Sequence, residues 1–134
     1  FAVIDLVDNG SSHDIVDGLN NNSRTRLNYS SDNYELLAGV SLTGGVDTPP
    51  TSPTVTTSLF DSPNSEMWVN QTSQLSGDAG GNGMDGITIG ARIGRDVTWV
   101  DGFIGEILVY DPGASGYSRT DVENYLADKW GITF

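Results

Sequence analysis

Residues 83–132, GMDGITIGARIGRDVTWVDGFIGEILVYDPGASGYSRTDVENYLADKWGI, carry the pattern that decides the fold. They predict two apolar strands, Ile87–Ile93 and Phe103–Tyr110, with an Asp101-Gly102 turn before the second, and then one amphipathic helix ending in Lys129-Trp130-Gly131. Along the helix Val122, Tyr125, Leu126 and Trp130 recur at i, i+3, i+4 and i+8, while Asp121, Glu123, Asn124, Asp128 and Lys129 take the opposite face. Ser115, Ser118 or Thr120 is the N-cap, Thr120 and Glu123 have capping-box spacing, and Gly131 stops the helix. The strand Phe103–Tyr110 is apolar on both faces except at Glu106. That predicts a central strand, with Glu106 either paired inside to pin a loop or helix end, or facing a ligand site.

Upstream, six more short runs read as strands: Phe1–Val7, His13–Val16, Arg24–Tyr29, Tyr34–Val40, Thr54–Phe60 and Glu66–Asn70. Between them lie segments rich in Gly, Asn, Asp, Ser and Pro, residues that tolerate positive φ or bond their own backbone. Short strands at this even spacing predict an antiparallel sandwich or barrel, and not βαβ units. Thr43–Thr54 holds three of the five prolines and is read as a surface crossover between strands, because neither flank alone could bury a full core. One domain over residues 1–134 follows, able to remove roughly two thirds of its unfolded surface from water. Phe1 opens inside an apolar run with no initiator methionine, which reads as a processed product or part of a longer chain with an upstream strand.

The chain has no cysteine, so neither a disulfide scaffold nor thiolate chemistry is available. No apolar run reaches the ~20 residues of a membrane helix. Eighteen acidic residues against six basic ones give a net charge of −12, a field that repels phosphate backbones and anionic lipids. Neither nucleic acid nor membrane insertion is expected. Many of the fourteen aspartates sit in loops, where they serve a solvated surface or hold calcium through hard oxygen ligands.

The order GFIGEILVYD followed by VENYLADKWGI resembles the closing part of the concanavalin A-like lectin/glucanase superfamily in its laminin-G-like form. FAVIDLV is similar to its early strand, SRTRLNYSSDNYELLAGVSL to the hairpin that follows, and MWVNQTSQLSG to a strand-turn-strand in which Gln71 replaces the usual glycine. The resemblance implies an all-β jelly-roll sandwich with one C-terminal helix packed on it. It also implies a secreted setting, at an extracellular, cell or virion surface.

The glucanase branch carries a Glu-x-Asp-x-x-Glu strand, which places carboxylates on one face near the ~5–5.5 Å that retention needs. No such run occurs here, and Ser12, His13 and Asp14 are neighbours that a strand would splay apart. A non-enzymatic carbohydrate- or surface-binding module is therefore expected, with a structural decoration or fibre subunit as the alternative and a glycan hydrolase or lyase after that. Sugar binding asks for an exposed aromatic beside amides. Trp99 is one candidate, although relatives often bury an aromatic there; Tyr29, Tyr34, Asn28 and Asn33 form an aromatic-amide hairpin. Trp68 and Trp130 are expected in the core. Gly80–Thr88 matches one copy of the calcium β-roll nonapeptide, a pattern that needs adjacent copies, so a glycine-rich loop is favoured. Candidate calcium ligands are Asp78, Asn82 and Asp85, with Asp96 and Asp101 bracketing Trp99. Phe103, where relatives are usually polar, is the candidate for contact with a neighbouring chain; the partners expected are a glycan or surface protein, with self-assembly or a scaffold protein as the alternative.

Overall fold

A computed structural model describes residues 1–19, 23–28, 33–45, 50, 52–94, 97–111, 113 and 116–134, with backbone alone at 27, 28 and 45. Among the described residues the chain forms ten strands and one helix. In chain order these are β1 Ala2–Leu6, β2 Ser12–Asp17, β3 Ser23–Asn28, β4 Asn33–Ala38, β5 Ser41–Gly45, β6 Thr54–Leu59, β7 Ser65–Val69, β8 Thr72–Gly77, β9 Thr88–Ile89, β10 Gly102–Ile107 and α1 Arg119–Trp130. Two five-stranded antiparallel sheets result: sheet A in the order β10-β1-β6-β7-β8 and sheet B in the order β5-β4-β3-β2-β9.

Strand alternation makes sheet A the middle of three layers. Ala2, Ile4, Leu6, Met67, Val69 and Leu75 face sheet B and meet Ile15, Tyr34, Leu36 and Ala38 in one buried cluster. The intervening Val3 and Val55 face the other way and pack with Val122, Leu126, Ala127 and Ile132 of the helical segment. Each fully buried aliphatic side chain contributes about 1.5–3 kcal/mol, so this helix is held by its contacts with the sheet more than by its own propensity. Ser118 caps it by accepting from Asp121 N–H at 3.1 Å, and Gly131, at φ 67°, ends it. Of the three N-cap candidates Ser118 holds the position, and Ser115 lies outside the described residues.

Four expectations change. The strand at 103–110 is not central: β10 stops at Ile107 and forms the edge of sheet A. A bulge at Gly105 sets Ile107 against Ala2 and Ile104 against Ile4, while Glu106 lies opposite Val3 on the helix side. The extra residue shifts the strand's parity, so Glu106 does not share a face with Ile104. The face of α1 is also rotated. Glu123 and Ala127 are buried beside Val122 and Leu126, whereas Tyr125 and Trp130 are largely exposed. Two strands went unseen as runs, β5 and β8, because Ser41–Gly45 and Thr72–Gly77 are polar and glycine-containing. Ile87–Ile93 contributes only the two residues of β9.

The β7–β8 turn has Asn70 at φ 45° and Gln71 at φ 65°. Two successive positive values are the signature of a type I′ hairpin turn, in which asparagine-glycine is the favoured pair. Asn70 is tied down further, its backbone N–H donating to Val55 O and its Oδ1 accepting from Val55 N–H.

Candidate functional site

Strand alternation on β2, β3 and β4 sends Asp14, Arg26 and Glu35 to the outer face of sheet B, and the register aligns them: Asp14 opposite Arg26, Arg26 opposite Glu35. Arg26 Nε and Nη2 donate to both Asp14 oxygens at 2.6 and 3.2 Å, and Nη1 donates to Glu35 at 3.0 Å. Ser41 extends the row from β5, donating to Glu35 at 2.9 Å. Burial works against the Arg26 charge, yet the hydrogen bonds to Asp14 and the carboxylates of Asp14, Glu35 and Asp17 raise its pKa above the ordinary value. Asp17 accepts from Ile93 N–H at 2.9 Å, fixing the start of the segment that runs on to Trp99.

Beyond β9, residues 98–101 continue alongside β2 and the end of β1. Asp14 N–H donates to Thr98 O, Gly90 N–H to Ile15 O, Val100 N–H to Gly90 O and Val7 N–H to Asp101 O. Thr98 Oγ1 donates to Asp14 Oδ2 at 2.5 Å. Thr98 itself sits at φ 57°, a conformation β-branched residues avoid. His13, on the inner face, holds the next residue: Nδ1 is 2.7 Å from Trp99 O and 3.2 Å from Asp101 N, donating to the first or accepting from the second according to tautomer. Both backbone neighbours of the indole are thereby fixed by fully buried side chains, while Trp99 itself is 58% exposed. The expected core position is not where Trp99 lies.

Register also places Ser12 opposite Asn28 and Asn28 opposite Asn33, one row nearer this end of sheet B. The Trp99 segment and the Ser12–Asn28–Asn33 backbone row therefore lie toward one rim, which chain order alone does not show. Tyr34 is a correction: parity turns it inward, where it is 1% exposed in the core and cannot meet a ligand. Tyr29 lies outside the described residues. Trp68 is half-buried beneath Arg119, whose guanidinium carbon is 4.4 Å from the ring centroid. Trp130 is not a core residue either: at 43% exposure it stacks where a Gly105 Cβ would lie only 2.9 Å from its ring.

The calcium candidates separate into two ends of the molecule. Asp101 is at the Trp99 rim, accepting from Asn9 at 3.2 Å, and Asp96 lies outside the described residues. Asp78, Asn82 and Asp85 belong to the loop after β8, where Asp78 Oδ1 accepts from Ser62 and from Gly80 N–H. Gly80 is required by a close approach: a Cβ there would fall 2.2 Å from Ala38 O. Gly80 thus serves backbone packing, whereas a Cβ at Gly81 would meet nothing within 4 Å. No group of three His, Cys, Asp or Glu converges among the described residues.

The two carboxylates weighed against a catalytic pair, Glu106 and Asp111, each hold a local contact. Glu106 accepts from Trp130 Nε1 at 2.9 Å and from Lys129 at 3.1 Å, and Asp111 Oδ1 accepts from Gly113 N–H. Because β10 ends at Ile107, strand parity does not relate Glu106 to Asp111. Alternation places Ser12 and Asp14 on one face of β2 and His13 on the other. Sequence reasoning missed the Thr98–Asp14–Arg26–Glu35–Ser41 ladder. Its signal was opposite charges recurring at outward positions of successive strands. No helix among the described residues is long and apolar enough to cross a membrane. Comparison with known proteins finds no family, no curated protein and no solved structure that this chain matches.

Proposed function

We propose that this chain is a non-enzymatic recognition module of the concanavalin A-like, laminin-G-like jelly-roll kind, binding carbohydrate at an extracellular, cell or virion surface. One observation carries the reading: Trp99 is exposed on a segment whose backbone is fixed on both sides of it, by Asp14 through Thr98 and by His13. Strained positions persist where the surroundings over-determine them, and such positions cluster at binding sites. A rigid indole stacks on a sugar face with little ordering cost, and Asn33 together with the rim hydroxyl of Ser12 supplies partners for sugar hydroxyls. A glycan array probed with and without calcium tests the reading. Binding should fall about tenfold or more in Trp99→Ala, roughly 1.4 kcal/mol, with the melting temperature unchanged. Absence of binding in both conditions would sink it.

A second reading, a self-assembling decoration or fibre subunit, is favoured by the edge strand β10. Its outward Phe103 is 76% exposed, and an unpaired edge with an apolar side chain is a template for another strand.

A further inference from the structure

Asn9 and Asn82 are the two asparagines that glycine follows in the chain, and the fold holds them differently. Asn82 is built into the loop after β8. Its backbone N–H donates to Ala38 O at 2.8 Å, and Ser23 Oγ donates to its carbonyl and to that of Gly83 at 3.3 and 3.1 Å. Its amide is packed as well, since a Cβ on Gly39 would fall 2.8 Å from Asn82 Nδ2. Asn9 lies in the exposed turn between β1 and β2, where Gly10 has φ 70° and a Cβ on it would meet nothing within 4 Å.

Each group that could react in this turn is already held. Asn9 Oδ1 accepts from Ser11 N–H at 3.0 Å, an Asx turn that folds the side-chain amide back over the Gly10 peptide. Gly10 N–H donates to Asp8 Oδ1 at 3.1 Å, and Asn9 Nδ2 donates to Asp101 Oδ2 at 3.2 Å. A nitrogen nucleophile thus has its proton aimed at a carboxylate, and the oxygen that gains charge when this nitrogen attacks already faces an N–H donor. Proximity, a general base and an oxyanion donor are the requirements of acyl transfer.

We propose that Asn9 is a self-modification site at which the fold promotes deamidation. Gly10 N attacks Asn9 Cγ while Asp8 takes its proton, and the new N–C bond closes a succinimide ring. The bond from Cγ to Nδ2 breaks, and the proton taken by Asp8 returns through solvent to the leaving nitrogen, which departs as ammonia. Water then opens the ring at either carbonyl and leaves aspartate or isoaspartate. The product has lost the donor that joins this turn to Asp101, and it sets a second carboxylate against that residue, where like charges repel. Modification therefore adds negative charge to the rim that carries Trp99 and removes one of the contacts that tie it to the turn after β1.

The test incubates the 134-residue chain in warm, mildly alkaline buffer, folded and in urea, and follows conversion of Asn9 and Asn82 to aspartate and isoaspartate by mass spectrometry of the digested peptides. In the folded chain Asn9 should react about tenfold or more faster than Asn82, and also faster than Asn9 does in urea, where local sequence alone acts. Asp8→Asn keeps the side-chain oxygen and removes the base. It should slow the folded-state reaction by about tenfold or more and leave the rate in urea unchanged. An Asn9 rate no higher in the folded chain than in urea, a faster reaction at Asn82, or a folded-state rate indifferent to Asp8→Asn would overturn the proposal.

Discussion

Thr98 and Gln71 are the two residues whose backbone most contradicts their side chain. A strained position such as Thr98 at φ 57° costs on the order of 1–3 kcal/mol, offset here by the hydroxyl bond to a buried, ion-paired Asp14. Thr98→Val keeps the shape and removes the donor. It should lower unfolding stability by about 1–3 kcal/mol in urea titrations, through an Asp14 oxygen that has lost a partner. Gln71 gives up little beyond an exposed bond to Asn124, whereas a left-handed non-glycine residue costs about 1–2 kcal/mol. Gln71→Gly should therefore stabilise the protein by about 0.5–1 kcal/mol, visible as a higher melting temperature. Asn70, which the residue pattern counted in the strand Glu66–Asn70, was placed at a bend by the resemblance alone, and its chemistry fits that turn. The conformation of Thr98 was not legible, since it is held there by long-range bonds to Asp14, through its hydroxyl and through its carbonyl.

At the scale of elements, the end of α1 is fastened to the edge strand by Glu106, Lys129 and Trp130. The hydrogen bond from Trp130, then that from Lys129, holds the Glu106 carboxyl below its ordinary 4.5, and Glu106 with Tyr125 holds Lys129 above its ordinary 10.5. A lowered carboxyl pKa means that the unfolded chain binds the proton more readily. The Glu106 contribution is therefore complete above pH 4.5 and is lost as pH falls through the folded value. The Lys129 contribution is present below 10.5 and disappears as pH rises through its raised value. Glu106→Gln should flatten the acid limb of melting temperature against pH relative to the parent chain; parallel curves would refute this fastening. The sequence left Glu106 either paired inside to pin a loop or helix end, or facing a ligand site; its bonds to Lys129 and Trp130 pin the end of α1. Its partly exposed setting depended on β10 being an edge, and the bulge that turns Glu106 to the helix has no local signature beyond Gly105. The helix itself was legible by period and cap, but not the rotation of its face. Glu123 is buried because Thr57 and Arg119 satisfy it, partners distant in sequence or outside the apolar pattern.

For the whole molecule, two antiparallel sheets and a terminal helix were legible because most strands alternate cleanly and the turns between them are rich in glycine, asparagine and proline. The pairing order was not, since register between distant strands depends on packing that no local window contains. Nor could the sequence bring Trp99 to the Ser12–Asn28–Asn33 rim, which arises only when the segment after β9 docks on β2. If β10 is an assembly edge, sedimentation should show concentration-dependent self-association, weakened about tenfold or more by Phe103→Asp. A parent chain that stays monomeric at high concentration would remove that reading. The placement of β1 between β6 and β10 also bears on biosynthesis. During translation β2 to β5 can zip up as a local meander soon after leaving the ribosome, but one border of β1 stays bare until residues 102–107 emerge. Nascent chains arrested short of that point carry an apolar strand with an open side, so premature termination yields aggregates and chaperone clients instead of a smaller folded product.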